Sequence, residues 1–441
     1  MPSDAVPARD RGGLVAVLLA GLATQALATW AVLALPSVAP KAADSLGVDV
    51  VLIGYHVSLI YTLATLSSVF AGALVISWGA CRTSQVALLG SSLGCVVIAA
   101  VPSFATAVVG AMLIGFCYAL TNPSAAALLA RNVGPRNRGL VFSLKQAGVP
   151  VGGIAAGLVT PAIAVVHGWQ VAVASTAAVG VVLALLLVPF RPSWDAMRAP
   201  VAGIRSDTIA GLRRVVSTPA LVFLCGFGFL FAGIQLTIMT FAVAMAVEEL
   251  GFQPLVAGAL LATIQAAGFA GRLFWGAVAD RIGSNVRALA IIATIATAGC
   301  LGLAGVAEGG PAWPVFLVCG LLGASAISWN GVFMSEIVRH SDAGSVGTTT
   351  GVSMVFVFAG VILGPAIFVS LHGWLGSYTT AFGVLAVPTL IGGLAIVAGP
   401  RLLATSSPRR GPPHDPTLAD ARDPQPARQP SAADAPHRRG T

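Results

Sequence analysis

Long runs of apolar residues follow one another along the chain with few polar residues between them. The two longest stretches without a charged side chain run from Arg82 to Arg131 and from Asp342 to Arg401. A membrane-spanning helix needs about 20 apolar residues, so each stretch is long enough for two. A transmembrane barrel would instead alternate apolar and polar residues over about 10 positions, and the chain lacks that pattern. The apolar pattern predicts twelve transmembrane helices, over residues 13–36, 51–78, 84–101, 105–130, 139–163, 169–190, 217–247, 253–279, 287–307, 311–335, 345–371 and 376–399.

Composition excludes a large soluble protein. Of the 441 residues, 56% are hydrophobic and 9% are charged, whereas soluble domains are about 25% charged. A soluble fold of this length could not bury so much apolar surface, so the predicted fold class is an all-α polytopic membrane protein. The first apolar run follows Arg9 and Arg11 and is longer than the apolar region of a signal peptide, which predicts an uncleaved first helix.

The basic residues predict the orientation of the helices. With twelve spans, both termini lie on the same side of the membrane, and most arginines fall on that side. They are Arg9, Arg11, Arg82, Arg131, Arg136, Arg138, Arg191 to Arg214, Arg281, Arg287 and Arg339. The opposite side has Lys41 among acidic residues. Because basic loops stay in the cytoplasm, we expect a multi-pass protein of the cytoplasmic (inner) membrane with both termini cytoplasmic. The net charge of +8 then reflects topology, and nucleic acid is not an expected partner.

The two halves of the chain repeat each other. Gly72 and Gly79 lie at the end of the second predicted helix with the same spacing that Gly276 and Gly283 have at the end of the eighth, and a His-Gly-Trp triplet occurs once in each half. Duplicated halves are common in secondary transporters. The predicted organisation is a cytoplasmic N-tail (1–12), a six-helix bundle (13–190), a cytoplasmic central loop (191–216), a second six-helix bundle (217–400) and a disordered cytoplasmic tail (401–441).

The most specific motif lies at the junction of predicted helices 8 and 9. Residues 276–283 read Gly-Ala-Val-Ala-Asp-Arg-Ile-Gly, and Arg287 follows. This motif resembles the loop signature of the major facilitator superfamily, and the twelve-helix plan is similar to that family over about residues 12–400. The resemblance implies two pseudo-symmetric six-helix bundles with a substrate site between them. It also implies a secondary transporter, either a symporter or an antiporter, and not an enzyme.

The signature residues predict a gate. Gly276 and Gly283 allow close helix approach and a tight turn. Asp280, beside Arg281, is expected near the N-terminus of helix 11, around 347–351, where free N–H groups attract an anion. That contact would hold the cytoplasmic side closed, and the alternative is a solvated turn.

The first half keeps the glycines of the signature but not its charges. Gly72 and Gly79 remain, whereas Ile76 and Ser77 occupy the positions of the acid and the arginine. If an electrostatic latch operates, it should act mainly through the second half.

Two cations inside predicted helices are candidate substrate contacts. Lys145, one of only two lysines, lies about two turns inside helix 5, and an intramembrane charge usually faces a cavity or a partner. It either binds a carboxylate or reaches the cytoplasmic surface, since seven residues of helix span only ~10 Å. Arg272 in helix 8 is either a second anion contact or a structural partner of the gate.

Amide side chains complete the predicted site. The superfamily lines its cavity with helices 1, 4, 7 and 10, so the resemblance implies Gln25, Gln235 and Asn330 as contacts. Gln146 stands beside Lys145. For each amide the alternative is a hydrogen bond between helices.

Three residues are candidates for proton coupling. Lys145 would serve if it titrates during transport. Glu336 either titrates or pairs with Arg339 or a loop arginine, and His56 is either a proton relay or a hydrogen-bonded interfacial residue.

The leading hypothesis is a secondary active transporter of a small organic anion, similar to a monocarboxylate, working by alternating access. The alternative is a proton-linked exporter of drugs or other amphiphiles, but deep cations without midplane acids favour an anion. A channel or sensor would not need the gate motif.

No nucleotide-binding or metal-binding motif occurs, so no cofactor is expected. The expected partners are the substrate and the lipid bilayer, and a functional monomer is expected.

Overall fold

The computed structural model describes residues 11–48, 50–196, 204–306, 309–342 and 344–404. Most of the two predicted tails therefore lies outside the described residues. Within them, twelve helices are long and apolar enough to cross a membrane, which confirms the predicted number and fold class. We number them TM1 to TM12 in chain order. They extend over Gly13–Ala34, Tyr55–Trp78, Ala80–Ala100, Phe104–Asn132, Arg138–His167, Trp169–Trp194, Pro219–Glu249, Val256–Ile282, Asn285–Ala304, Ala312–Arg339, Val346–Leu375 and Tyr378–Ala398.

Glycine and serine make the short turns between successive helices. Gly79 between TM2 and TM3 has a φ of 92°, and Gly283 between TM8 and TM9 has a φ of 69°, a conformation that favours glycine. The side chains of Ser103 and Ser284 accept hydrogen bonds from backbone N–H groups in the first turns of TM4 and TM9. These groups lack a partner within the helix, so the serines stabilise the helix starts. Gly79 and Gly283 occupy equivalent places in the two halves.

Three of the described helices that face the space between the two halves of the chain are interrupted within their length. TM4 breaks between Tyr118 and Thr121, TM5 breaks at Ala147, and TM10 breaks between Ala326 and Asn330. Irregular backbone inside a membrane protein is tolerated where it is buried in protein or lines a cavity. The three breaks therefore mark a level of the molecule at which a substrate site is expected.

The two bundles, TM1–TM6 and TM7–TM12, pack against each other at the end of the molecule that holds Asp280, called the Asp280 end below. The opposite end is called the far end. TM2 packs along TM11, while TM5 packs along TM8 and TM10. A Cβ atom on Gly72 would overlap the backbone of Thr348 in TM11, and one on Gly331 would overlap the backbone of Ser143 in TM5. Glycine thus lets the helix backbones of the two bundles come into direct contact.

The predicted central loop is partly helical. It contains the short helix Arg191–Trp194, which is the last turn of TM6, and the helix Ile204–Ser217. Asp195 accepts hydrogen bonds from the backbone N–H groups of Cys81 (2.7 Å) and Arg82 (3.3 Å) at the start of TM3. A carboxylate is favourable at a helix N-terminus because free N–H groups point at it. The first part of this segment is therefore fastened to the first bundle.

Candidate substrate site

A cavity of about 160 Å³ lies between the two bundles at the level of the helix breaks. One water needs roughly 10–15 Å³ by this kind of measure, so the cavity has room for a small solute. Its walls come from TM1, TM2, TM4 and TM5 of the first bundle and TM7, TM8, TM10 and TM11 of the second. Five of the six predicted substrate contacts line it, namely Gln25, Gln146, Gln235, Arg272 and Asn330.

Lys145 lies directly behind this wall. The residue is 2% exposed, and its Nζ donates hydrogen bonds to the side-chain oxygens of Gln25 (2.7 Å), Asn122 (2.6 Å) and Gln146 (3.1 Å). Those three amides line the cavity, whereas Lys145 does not. The interpretation in which Lys145 reaches the membrane surface is wrong, because three internal acceptors satisfy its ammonium group. Lys145 orients the amide wall from one layer away.

Arg272 lies in the wall itself. It is 2% exposed, and its terminal nitrogens donate to two backbone carbonyls, Gln146 at 3.4 Å and Ile327 at 3.1 Å. The Gln146 carbonyl has no helical partner because Pro150, four residues later, lacks an N–H group. Ile327 lies in the break of TM10. The Nε of Arg272 is buried and has no hydrogen-bond partner among the described residues, so this guanidinium has one unused donor.

Aromatic rings form much of the remaining wall. Trp329 packs edge-on against Phe333 with ring centroids 5.1 Å apart, and Phe358 lies 5.8 Å from Tyr61 and from Tyr118. All five line the cavity. The indole N–H of Trp329 donates to the side-chain oxygen of Gln235 at 3.0 Å, which fixes that amide. The cavity thus combines a polar side with an aromatic, apolar side.

The cavity carries positive charge without a nearby carboxylate. No Asp, Glu or His is among the described residues that line it. Glu336 is buried near the Asp280 end, where its carboxylate accepts a hydrogen bond from Asn285 at 3.0 Å and pairs with Arg339 at 3.8 Å. His56 is buried in TM2 and is also outside the cavity lining. Two of the three proton-coupling candidates are therefore separate from the substrate cavity.

Asn122 and Tyr118 are among the cavity residues that were not predicted from the sequence. Asn122 accepts the shortest hydrogen bond from Lys145. The hydroxyl oxygen of Tyr118 accepts a hydrogen bond from the amide nitrogen of Gln25 at 3.4 Å. A signal for Asn122 was present, because it precedes Pro123 inside an uncharged transmembrane stretch. Nothing in the local sequence distinguished Tyr118 from an aromatic residue packed in the core.

The Asp280 carboxylate of TM8 connects the two bundles where TM8 crosses TM5. Its two oxygens accept hydrogen bonds from the backbone N–H groups of Gly139 and Leu140, each at 2.8 Å, at the N-terminus of TM5. The prediction that Asp280 contacts TM11 is wrong. TM8 lies against TM5, whereas TM11 lies against TM2, so the two halves meet in crossed pairs.

Glycines of the signature also sit at these crossings. A Cβ on Gly276 would lie 2.8 Å from the Cα of Leu140, so Gly276 brings TM8 against TM5. At the equivalent crossing Gly72 touches Thr348, but position 76 is Ile and provides no carboxylate. Gly79 faces Asp195 of the central segment. Arg281 is exposed and its side chain has no described contact with the other bundle.

We expect Asp280→Asn to slow transport several-fold. An amide keeps the shape but has one acceptor oxygen and no charge, and loss of a carboxylate at a helix N-terminus costs ~0.5–2 kcal/mol. The Asp280 end should open more often, which steady-state uptake into vesicles and cysteine labelling would detect. Asp44→Asn, an exposed acid near the far end, is the matched control. Equal behaviour of the two variants would refute a latch at Asp280.

Two six-helix bundles around a shared cavity, with helices broken at the level of that cavity, define a secondary transporter. The sequence profile of the Major Facilitator Superfamily matches residues 14–365. This is most of the chain, and the chain belongs to that superfamily.

Relatives and solved structures agree with this membership. An uncharacterised MFS-type transporter of Mycobacterium tuberculosis is 26% identical over 284 residues, which are 63% of this chain and 60% of the relative. The match thus spans about three fifths of that relative's length. Among solved structures, the Escherichia coli fucose:proton symporter has a TM-score of 0.73 at 16% identity, covering 88% of this chain and 99% of that one. A proton:xylose symporter gives 0.71 at 13% identity, covering 90% and 99%. The human organic anion transporter MFSD10 gives 0.69 at 17% identity, covering 87% and 99%.

Proposed function

We propose that this transporter carries a small organic anion with one carboxylate and an apolar body. The observation that carries the proposal is Arg272, a buried guanidinium in the cavity wall with an unused Nε–H and no carboxylate among the cavity-lining residues of the described chain. A charged side chain in the membrane interior is costly and usually faces a partner. A substrate carboxylate would supply the missing partner with charge-assisted hydrogen bonds.

Lys145 supports the same reading indirectly. Its ammonium group occupies the oxygens of Gln25, Asn122 and Gln146, so the N–H₂ groups of these amides face other partners. One N–H of Gln25 donates to Tyr118 and one N–H of Asn122 donates to the sulfur of Met354, which leaves the second N–H of each for a ligand. Donors are what an anion needs. The positive charge one layer behind also makes the potential at the cavity more favourable for an anion.

The apolar side of the cavity supports a substrate with an apolar body. A sugar would need polar partners around its whole rim, whereas the aromatic rings of Trp329, Phe333 and Phe358 line one side of the cavity. Aromatic rings pack well against other rings and aliphatic groups. A cationic amphiphile would meet Arg272 and no counter-charge.

Alternating access follows from the closed Asp280 end. TM2 against TM11 and TM5 against TM8 seal that end, and rocking of the bundles would break these contacts and open it. We further propose that the Asp280 end is cytoplasmic, because the arginines concentrate there.

Ligand stabilisation of the purified protein tests the substrate class. Phenylacetate, mandelate and lactate should raise the melting temperature, whereas benzylamine, which has the apolar body but a cationic head, and glucose should not. At 100 times the Kd, a ligand stabilises the folded state by about 2.7 kcal/mol, enough for a clear shift. Stabilisation by benzylamine, or by none of the carboxylates, would rule out the proposed substrate class.

A further inference from the structure

The helix Ile204–Ser217, called the central helix below, lies against the contact between the two bundles. It packs on TM2, TM7 and TM11. A Cβ atom on Gly211 would lie 2.4 Å from the side chain of Thr348 in TM11, and the backbone of the same Thr348 meets Gly72 of TM2. Thr348 is therefore enclosed between the central helix and TM2 at the crossing that seals the Asp280 end.

The central helix lies beside TM11 and not beneath its end. The Cβ position of Gly211 is also 3.5 Å from the side chain of Val352, one helical turn further into TM11 than Thr348. TM11 begins at Val346, and TM7 begins at Pro219, two residues after the central helix ends. The central helix thus lies at the end of the apolar spans, which is the level of the lipid headgroups.

The residues of the central helix divide into three faces, because successive residues are about 100° apart around a helix axis. One face packs on TM11 and holds the buried residues Gly211 and Val215. The face opposite Arg214 exposes large apolar side chains and is called the apolar stripe below. It consists of Ile209 (55% exposed), Leu212 (48%) and Val216 (64%). The third face is polar and includes the exposed Arg213.

We propose that the apolar stripe binds the anionic surface of the surrounding bilayer, and that this contact helps to hold the Asp280 end closed. An interfacial amphipathic helix buries such a stripe at the boundary between headgroups and acyl chains. Arg213 beside the stripe, and the other arginines at this end, supply the charge that attracts anionic lipid. The inference does not depend on which substrate is transported.

The position of the stripe favours lipid over a protein partner. Val216 is followed within six residues by Val222 of TM7, which is 43% exposed on the outside of a membrane-spanning helix. The stripe therefore continues along the chain into a surface that faces the acyl chains. A soluble protein would have to bind at the depth of the headgroups to cover it.

Lipid on the stripe would act on the gate through the contacts of the central helix. Opening of the Asp280 end separates TM2 from TM11, and the central helix packs on both. Arg214 forms an ion pair with Asp342, in the turn before TM11, which attaches the helix to the second bundle. A central helix that lipid holds in place keeps Thr348 against Gly72, so anionic lipid stabilises the closed state.

Nitroxide labels on the full-length protein in lipid nanodiscs test the lipid contact. All six native cysteines are buried, so the label reacts with an introduced cysteine. Leu212→Cys lies on the stripe, and Ala210→Cys is the matched control, because Ala210 is exposed roughly 160° away on the same helix. We expect the label at 212 to collide mainly with oxygen, which partitions into lipid, and the label at 210 mainly with a water-soluble nickel chelate.

Two results would overturn the lipid contact. Equal access of the nickel chelate to both labels would mean that the stripe faces water. Protection of both labels from the chelate would mean that another polypeptide, such as a second copy or residues 405–441, covers the whole helix.

The charge of the lipid tests the effect on the gate. Ser68→Cys in TM2 has no exposed surface in the closed state, so its labelling rate reports opening. Labelling should be several-fold slower in an equimolar mixture of phosphatidylcholine and phosphatidylglycerol than in phosphatidylcholine alone. Arg213→Gln should remove most of this difference, because one arginine near an anionic surface changes an equilibrium about 5-fold. Arg287→Gln, which changes an exposed arginine of TM9 at the same end, should keep the difference. Equal labelling of the parent protein in the two lipids would overturn the effect on the gate.

Discussion

Replacing Arg272 by Gln should weaken carboxylate binding by about 10- to 100-fold, because a hydrogen bond to a charged group contributes ~1.5–3 kcal/mol. Arg272 is the one cation among the described residues that line the cavity, and its unused Nε–H faces no protein acceptor. Glutamine keeps a polar side chain of moderate length but removes the charge. The measurement is the concentration of phenylacetate that gives half of the maximal thermal stabilisation.

Two further variants separate charge from structure. Arg272→Lys keeps the charge without the planar donor arrangement, so it should recover part of the affinity. Arg136→Gln removes an exposed arginine outside the cavity and should bind like the unmodified protein. If Arg272→Gln binds phenylacetate normally, then Arg272 is a structural partner of the TM5 and TM10 carbonyls and not an anion contact.

Replacing Gly72 by Val should abolish most transport by preventing closure of the Asp280 end. A Cβ on Gly72 would overlap the Cα and N atoms of Thr348 in TM11, and backbone atoms cannot move aside as a flexible side chain can. Overpacking of a close-packed contact costs ~1–3 kcal/mol, which shifts a two-state equilibrium by about 5- to 150-fold. The affected state is the closed one, so the protein should favour the conformation open at this end.

Cysteine labelling would measure the shift from the closed state to the state that is open at the Asp280 end. All six native cysteines are buried, so a probe can be introduced with little background. Ser68→Cys places a nearly isosteric thiol in TM2, at a residue with no exposed surface whose carbonyl contacts Gly351. The thiol should be unreactive in the parent protein and reactive with Gly72→Val. Gly226→Val makes the same change in TM7, where a Cβ has no neighbour within 4 Å, and should leave labelling and transport unchanged. Unchanged labelling with Gly72→Val would show that this crossing is not part of the gate.

The gate shows how far sequence reasoning could go. The glycine spacing and the Asp-Arg pair marked residues 276–283 as a special turn, because glycine conformation and charge at a helix end are local properties. The partner of Asp280 is not a local property. Residues 139 and 140 of TM5 contact it across the bundle interface, whereas the sequence had predicted the N-terminus of helix 11.

The substrate site likewise contains residues that the sequence could identify and contacts that it could not. Lys145 and Arg272 stood out because charges are rare inside apolar spans, and the amides stood out as polar residues on expected cavity helices. The relative positions of these residues could not be determined from the sequence. Lys145 could have faced the cavity, the surface or a partner, and the choice depended on where Gln25 and Asn122 lie, 120 and 23 residues away in the chain.

The sequence by itself determined the twelve spans, the related halves and the residue types of the candidate gate and the candidate substrate site. It could do so because the bilayer requires an apolar length for each helix, and because a charge placed inside that length is exceptional. The tertiary structure alone decided that TM8 crosses TM5, that three amides surround Lys145, and that Arg272 lies in the cavity wall with one donor unpartnered among the described residues. Those facts depend on the packing of helices that are distant in the chain, and the apolar surfaces of such helices do not specify which neighbours they meet.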